Sequence, residues 1–224
     1  MTEQLVYTDD GSVTFYAPEY QDHYHSTKGA LSEAMHIFIG YGLNEVLKFK
    51  KSIHILDVGF GTGLNALCAF SKLINLDVNV LYTAIEPFPL EKGNVELLNY
   101  PEMLGAEELL RNALVKMHTA PIGDEVVIHK NFRFRLFHDK LEFIDLSDKT
   151  FDLIFFDPFK PDSDSILWSS EIFSKLYRAT VLGGILVTYS SKGTVRRAMQ
   201  DAGFETHKLP GPDGKREITR ALRL

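Results

Sequence analysis

Short apolar runs alternate with segments of helical spacing along most of this chain. The β-rich runs lie at Ile53–Val58, Val80–Ile85, Phe132–Phe137, Phe151–Phe156 and Ile185–Tyr189. Most are nearly continuous in apolar character, the pattern of strands covered on both faces. Phe132–Phe137 is the exception, because Arg133 and Arg135 alternate with its apolar residues. Leu64, Leu67, Phe70, Ser71 and Ile74 follow an i, i+3, i+4 spacing. Helices are also predicted over Leu90–Asn99, Glu102–His118, Trp168–Ala179 and Thr194–Ala202, with Gly183-Gly184 and Gly203 as stops. Strand, helix, strand, helix predicts an α/β fold with a parallel sheet and right-handed crossovers.

Both ends depart from this alternation. Phe204–Leu209 and Ile218–Leu222 flank a turn-rich loop beginning Pro210-Gly-Pro-Asp-Gly-Lys. They predict an antiparallel hairpin that completes a mostly parallel, seven-stranded sheet. Leu5–Tyr7 and Ser12–Tyr16 flank Asp9-Asp10-Gly11, a second hairpin signal. Residues 1–50 therefore read as an extension, hairpin and helix, packed on a main domain over residues 51–224.

Composition narrows the class. With 45% apolar and 24% charged residues in 224, usage is that of an ordinary globular chain, not a disordered, collagen-like or coiled-coil one. No window approaches the ~18 consecutive apolar residues of a membrane span, and the N-terminus lacks the features of a signal peptide. The single cysteine, Cys68, excludes a disulfide framework and a thiolate zinc cluster; it reads as a core residue in a cytoplasmic protein. The net charge of −6 argues against coating nucleic acid through bulk charge. Lys192 to Leu224 nevertheless carries eight Lys/Arg against four Asp/Glu, compatible with a local polyanion site or with a solvated mixed surface.

The candidate chemistry begins at the first central strand. In Asp57-Val-Gly59-Phe-Gly61-Thr-Gly63, the glycines allow a sharp turn and close backbone approach to a ligand. The following helix offers free N–H groups that favour anions. A dinucleotide fingerprint is spaced G-x-G-x-x-G. Here the spacing is G-x-G-x-G after an acid, and Asp57 would oppose a pyrophosphate and suit a cationic ligand. Glu86 ends the second strand, where a carboxylate can accept hydrogen bonds from ribose hydroxyls. Two acids without a pyrophosphate cradle describe a positively charged nucleoside, S-adenosyl-L-methionine.

Asp139, after the third strand, can accept the amino hydrogens of an adenine, cap a helix over Leu141–Leu146, or do both. Asp157 follows the fourth strand in Asp157-Pro-Phe159-Lys-Pro161, at the strand end where ligands of open sheets bind. It can take a proton from an attacking amine or orient the amine's lone pair. His23-x-His25 reads as a surface or pocket-lining pair rather than a metal site. No serine-nucleophile elbow or phosphate-binding P-loop is present.

Several separated segments resemble the methyltransferase half of the bacterial tRNA 5-methylaminomethyl-2-thiouridine enzymes, the MnmC family. They are Tyr24-His-Ser-Thr-Lys-Gly29-Ala-Leu-Ser-Glu33 with His36-Ile-Phe38, Gly59-Phe-Gly61-Thr-Gly63-Leu-Asn65, and Glu86-Pro-Phe88-Pro89-Leu90. Asp157-Pro-Phe159-Lys-Pro161 with Trp168, Val195 to Phe204, and Gly214-Lys215-Arg216-Glu217 complete the set. The resemblance covers about residues 15–220 and is most specific in the late helix and Gly-Lys-Arg-Glu.

The resemblance implies a class I, Rossmann-like methyltransferase that uses S-adenosyl-L-methionine and no metal, converting 5-aminomethyl-(2-thio)uridine at the tRNA wobble position to 5-methylaminomethyl-(2-thio)uridine. It places Tyr24 and Glu33 with the cofactor, and Asp157 as the residue that orients and deprotonates the amine. Lys192, Arg196, Arg197, Lys215 and Arg216 would meet phosphates of the anticodon loop, while Phe159 or Tyr24 would stack on a splayed base. Pro158 stands where the family has Gly, which stiffens that loop. No FAD-dependent oxidase segment follows, so the expected partners include a separate oxidase or the enzymes that install the aminomethyl group. The alternatives are a methyltransferase for a small-molecule amine, a nicotinamide-dependent oxidoreductase, and a non-catalytic binding module.

Overall fold

The computed structural model describes residues 3–163 and 165–224. A three-stranded antiparallel meander comes first: β1 (Gln4–Tyr7), β2 (Val13–Ala17) and β3 (Asp22–His23). Asp10 turns the first hairpin. Its carboxylate accepts hydrogen bonds from the Thr8 hydroxyl, from Ser12 and from the Ser32 backbone N–H. Burial opposes its charge, but the bonds from Ser12, Ser32 and Thr8 win and hold its pKa at about 2.

Helix α1 (Ala30–Ala34) widens into a π-helical stretch, Met35–Leu43, and closes as α2 (Asn44–Val46). The stretch lies tight against the sheet. A Cβ at Gly42 would sit 3.0 Å from Val187 Cγ2 and 3.2 Å from Phe155 Cε1. Val13, Phe15, Ile37 and Phe38 join the same buried cluster as Leu67 and Phe70, so the early residues share the main core.

The alternating part runs β4 (Ser52–Val58), α3 (Leu64–Leu73), β5 (Asn79–Ile85), α4 (Lys92–Glu96), α5 (Tyr100–Met103) and α6 (Glu107–His118). It continues with β6 (Glu125–His129), β7 (Phe132–Phe137), β8 (Phe151–Phe156), α7 (Ser170–Ala179), β9 (Thr180–Thr188), α8 (Gly193–Asp201), β10 (Glu205–Pro210) and β11 (Glu217–Leu222). The sheet order is β10-β11-β9-β8-β4-β5-β7-β6, with β9, β8, β4, β5 and β7 parallel. Helices cover both faces, with α3, α6 and the π-helical stretch on one and α7 and α8 on the other. As expected, Cys68 is core, and its neighbours on α3 are buried nearly all round.

Among the described residues the sheet has eight strands rather than seven. The additional strand, β6, pairs antiparallel with β7 at an edge and leaves Val127 56% exposed; its apolar run is only Val126-Val127-Ile128, shorter than those of the covered strands. It also accounts for the alternation in β7: Arg133 and Arg135 reach Glu125 across that edge at 2.8 and 3.5 Å. Gly183-Gly184 does not stop a helix. The helix ends at Ala179, and the glycines lie within β9 near a register shift against β8. The expected Glu102–His118 helix is divided at Gly105, whose φ of +79° is a left-handed conformation natural to glycine. Leu90–Asn99 shortens to α4, and Leu141–Leu146 forms turns, so Asp139 has no helix to cap. Gly203, with φ +107°, does end α8.

Candidate active site

The carboxyl ends of β4, β5 and β8 open onto a cavity of about 300 Å³. Its backbone wall is Gly59 and Gly61, both at positive φ. The bare backbone matters there: a Cβ on Gly59 would sit 2.6 Å from the Asp157 carbonyl oxygen, and one on Gly61 would sit 3.0 Å from Tyr24 Cδ1. Glu86 is 7% exposed and braces the loop, accepting the Gly61 N–H at 2.8 Å and the Phe88 N–H at 2.9 Å. Burial pushes its carboxyl up to about 7, against the two backbone bonds that favour its charge. Val58, Ile85, Leu141 and Leu167 supply an apolar lining.

A second cavity of about 280 Å³ shares Tyr24, His25, Asp157, Pro158 and Phe159 with the first and adds Glu33, Lys215 and Tyr189. Asp157 stands where the two meet. Asn65 Nδ2 donates to its Oδ2 at 2.8 Å, which leaves Oδ1 for a second partner. Burial raises the Asp157 pKa well above the ordinary carboxylate value; nearby Glu33 and Asp57 add to the rise, and Asn65 and Lys215 oppose it. The loop behind it is pinned: the Tyr189 hydroxyl donates to the Pro158 carbonyl at 2.9 Å and Trp168 Nε1 to that of Phe159 at 2.9 Å. Phe159 stacks on Tyr20 with ring centroids 4.0 Å apart and meets Tyr24 edge-on.

The expected site residues divide into three groups. Gly59, Gly61, Glu86, Tyr24, Asp157 and Phe159 line the first cavity. Asp57, Gly63 and Asp139 are not in its wall. Asp57 is wholly buried in the sheet, where Oδ2 accepts the Tyr82 hydroxyl at 2.7 Å and Oδ1 has no partner among the described residues. Burial pushes its carboxyl up to about 8, against the Tyr82 hydrogen bond. Gly63 packs toward Leu114, Phe60 and His118. Asp139 is exposed and accepts the Lys140 N–H, while Lys140, Leu141 and Glu142 form that part of the wall.

In the third group, Glu33 lies in the second cavity and is ion-paired with Lys215, so neither is placed as the sequence suggests. Lys192 pairs with Asp162 at 2.6 Å. Arg197 and Arg216 are exposed, and Arg196 is half-buried. Asn65, Tyr20 and Tyr189 carried no assignment to the site in the sequence. Only Asn65 left a signal, as the last residue of the glycine-loop segment. His23 and His25 do line the second cavity. Burial lowers His25 to about 4, and its ring nitrogens lie 3.2 Å from Thr14 Oγ1 and 3.4 Å from Thr62 Oγ1.

The first cavity suits a cationic nucleoside. The glycine wall lets backbone approach the ligand, Glu86 retains lone pairs for ribose hydroxyls, and the apolar lining suits a base. Residues 106–223 match the family described as S-adenosyl-L-methionine-dependent methyltransferase. This chain belongs to that family of S-adenosyl-L-methionine-dependent methyltransferases.

Among named relatives, the tRNA 5-methylaminomethyl-2-thiouridine biosynthesis bifunctional protein MnmC of Cupriavidus metallidurans is 31% identical over 228 residues, covering 96% of this chain and 33% of that protein. The protein of the same name from Azoarcus sp. is 32% identical over 233 residues, covering 98% and 35%. The chain thus spans about a third of the length of these relatives. The crystal structure of MnmC2 from Aquifex aeolicus superposes with a TM-score of 0.79 at 23% identity, covering 99% of this chain and 70% of that one. A spermidine synthase from Thermotoga maritima shares the fold more distantly, with a TM-score of 0.55 at 11% identity, covering 97% and 72%.

If Glu86 takes the ribose hydroxyls as expected, cofactor binding should be sensitive to pH. Its pKa of about 7 in the folded protein exceeds the ordinary 4.5. Its contribution to folding stability is therefore full below pH ~4.5 and is lost as pH rises through ~7. A ribose donating to the carboxylate would lower that pKa, so binding would release a proton. Cofactor affinity should rise by up to ~tenfold per pH unit below pH 7, and Glu86→Gln should flatten the rise. Calorimetric titration in buffers of different ionisation enthalpy checks this; heats independent of buffer would contradict it.

Proposed function

We propose that this methyltransferase acts on the nitrogen of a 5-aminomethyl group carried by the wobble uridine of tRNA, in the cytoplasm. The observation that carries the reading is Asp157, a buried carboxylate of raised proton affinity standing where the cofactor-sized cavity joins a second, aromatic-lined one. The names of the MnmC relatives supply the acceptor. Gly59, Gly61 and Glu86 would hold the nucleoside.

Bound S-adenosyl-L-methionine supplies a methyl group on a sulfonium: the amine lone pair forms the N–C bond while the S–C bond breaks and its electrons stay on sulfur. Asp157 Oδ1 accepts the proton that frees the lone pair, while Asn65 fixes the other oxygen. Phe159 and Tyr24 offer ring surface to a splayed base. Pro158 and the hydrogen bonds from Tyr189 and Trp168 keep the loop from drifting, which preserves the alignment that in-line transfer needs.

Transfer of tritiated methyl from S-adenosyl-L-methionine into tRNA that carries the aminomethyl group, followed by nucleoside analysis, tests the reading. Label in methylaminomethyluridine supports it; no label in tRNA, together with label in a free amine, favours the small-molecule alternative. For binding to phosphate, Arg197 and Arg216 are the exposed cations of the predicted set that, among the described residues, lack ion pairs like those engaging Lys192 and Lys215. Each phosphate of a single-stranded loop that is no longer neutralised by the protein lowers the slope of log affinity against log salt by about 0.7. Arg197→Ala with Arg216→Ala should therefore reduce the slope by about 1.4. Filter binding of tRNA across a salt series measures it, and an unchanged slope would remove these two residues from the interface.

A further inference from the structure

The acceptor-side cavity already holds an alkylammonium of the protein's own. Lys215 Nζ is ion-paired with Glu33 Oε2 and lies 4.5 Å from the centroid of the Tyr189 ring. Glu33, Lys215, Tyr189 and Asp157 all line this cavity. Its other ion pair is self-contained, since Lys160 reaches Asp22 at 3.2 Å. Glu33 comes from α1 and is 7% exposed, whereas Lys215 comes from the turn between β10 and β11. A carboxylate on one side and an aromatic face on the other form a receptor for a primary ammonium on an alkyl stem. Chemically, Lys215 Nζ stands in for a protonated aminomethyl group. A carboxylate this buried needs a cation, but the cation need not be covalently part of the chain.

We propose that Glu33, backed by the Tyr189 ring, is the acceptor-binding carboxylate: it takes the substrate's primary ammonium in place of Lys215 Nζ and so positions the amine beside Asp157. The proposal rests on the amine-acceptor reading above and adds the residue that selects a cationic acceptor. The exchange keeps charge balanced, one ammonium replacing another. The bound ammonium then gives its proton to Asp157, which leaves a neutral nitrogen with its lone pair free. Lys215 follows Gly214 in the turn between β10 and β11, where its backbone N–H is held by the Pro212 carbonyl at 2.9 Å, and its flexible four-carbon stem can withdraw the ammonium by changing rotamer without disturbing the strands.

Steady-state kinetics with aminomethyl-bearing tRNA and with the free nucleoside 5-aminomethyluridine test this. Glu33→Gln should raise the KM for both acceptors by about tenfold or more, with a smaller change in kcat and cofactor Kd unchanged. Lys215→Met removes the competing ammonium and should lower the KM for the nucleoside. An unchanged acceptor KM in Glu33→Gln, or a raised nucleoside KM in Lys215→Met, overturns the assignment. If Glu33→Gln loses cofactor binding because it does not fold, the Lys215→Met result decides alone. Failure of the wild-type protein to methylate either acceptor would overturn the amine reading itself.

Discussion

Asp157→Asn is expected to lower kcat by about 10²–10⁴-fold, the usual contribution of a positioned general base. Asparagine keeps the shape and can still meet Asn65 through a flipped amide, so the loop should stay in place. What it lacks is an oxygen able to take a proton from the amine. An ordinary carboxylate is far too weak a base for an alkylamine, whereas burial and the neighbouring Glu33 narrow the gap. A raised pKa keeps Asp157 protonated beyond the pH at which an ordinary carboxylate ionises, so wild-type kcat/KM should still be climbing with pH above the usual carboxylate range. The asparagine variant should lose the limb that belongs to this group. Wild-type rates in Asp157→Asn, with an unchanged profile, would leave Asp157 only a structural place.

Gly59→Ala should weaken cofactor binding by about 100-fold, or about 3 kcal/mol. Two effects add. The residue sits at φ +91°, where a side chain costs roughly 1–2 kcal/mol. Its new Cβ would also meet the Asp157 carbonyl oxygen at 2.6 Å and Asp157 C at 2.9 Å. These are backbone atoms at the tip of β8 and cannot swing aside, so either the glycine loop or the Asp157 loop must shift. Gly105→Ala is the matching control. It has φ +79° and nothing within 4 Å of the added Cβ. It should lose a similar increment of thermal stability while binding cofactor normally. Equal affinity in Gly59→Ala and wild-type protein, by calorimetry, would show that the close approach of β4 to β8 at this point does not shape the pocket.

Much of the local geometry could be read from adjacent residues. An apolar run followed by Gly59-Phe-Gly61 ends a strand because glycine alone accepts those φ values cheaply, and a carboxylate beside a strand end, such as Glu86 or Asp157, is placed at the cavity mouth by the strand itself. Period and turn chemistry are short-range properties, so they survive without knowledge of the partner. The one alternating strand, β7, carried a hint of an exposed edge that became intelligible only with β6 beside it.

Pairings between distant segments were settled only by packing. Glu33 and Lys215 are 182 residues apart, and nothing near either in the chain says that one neutralises the other within a cavity. Asp57 carried the signature of a ligand-facing acid, yet the pleat of β4 buries it against Tyr82 and leaves the pocket wall to its glycine neighbours. Asp139 went the other way, out to solvent, because the segment after it turns instead of coiling. Backbone conformation depends mainly on a residue and its immediate neighbours, whereas the charge a side chain meets depends on the whole fold brought around it.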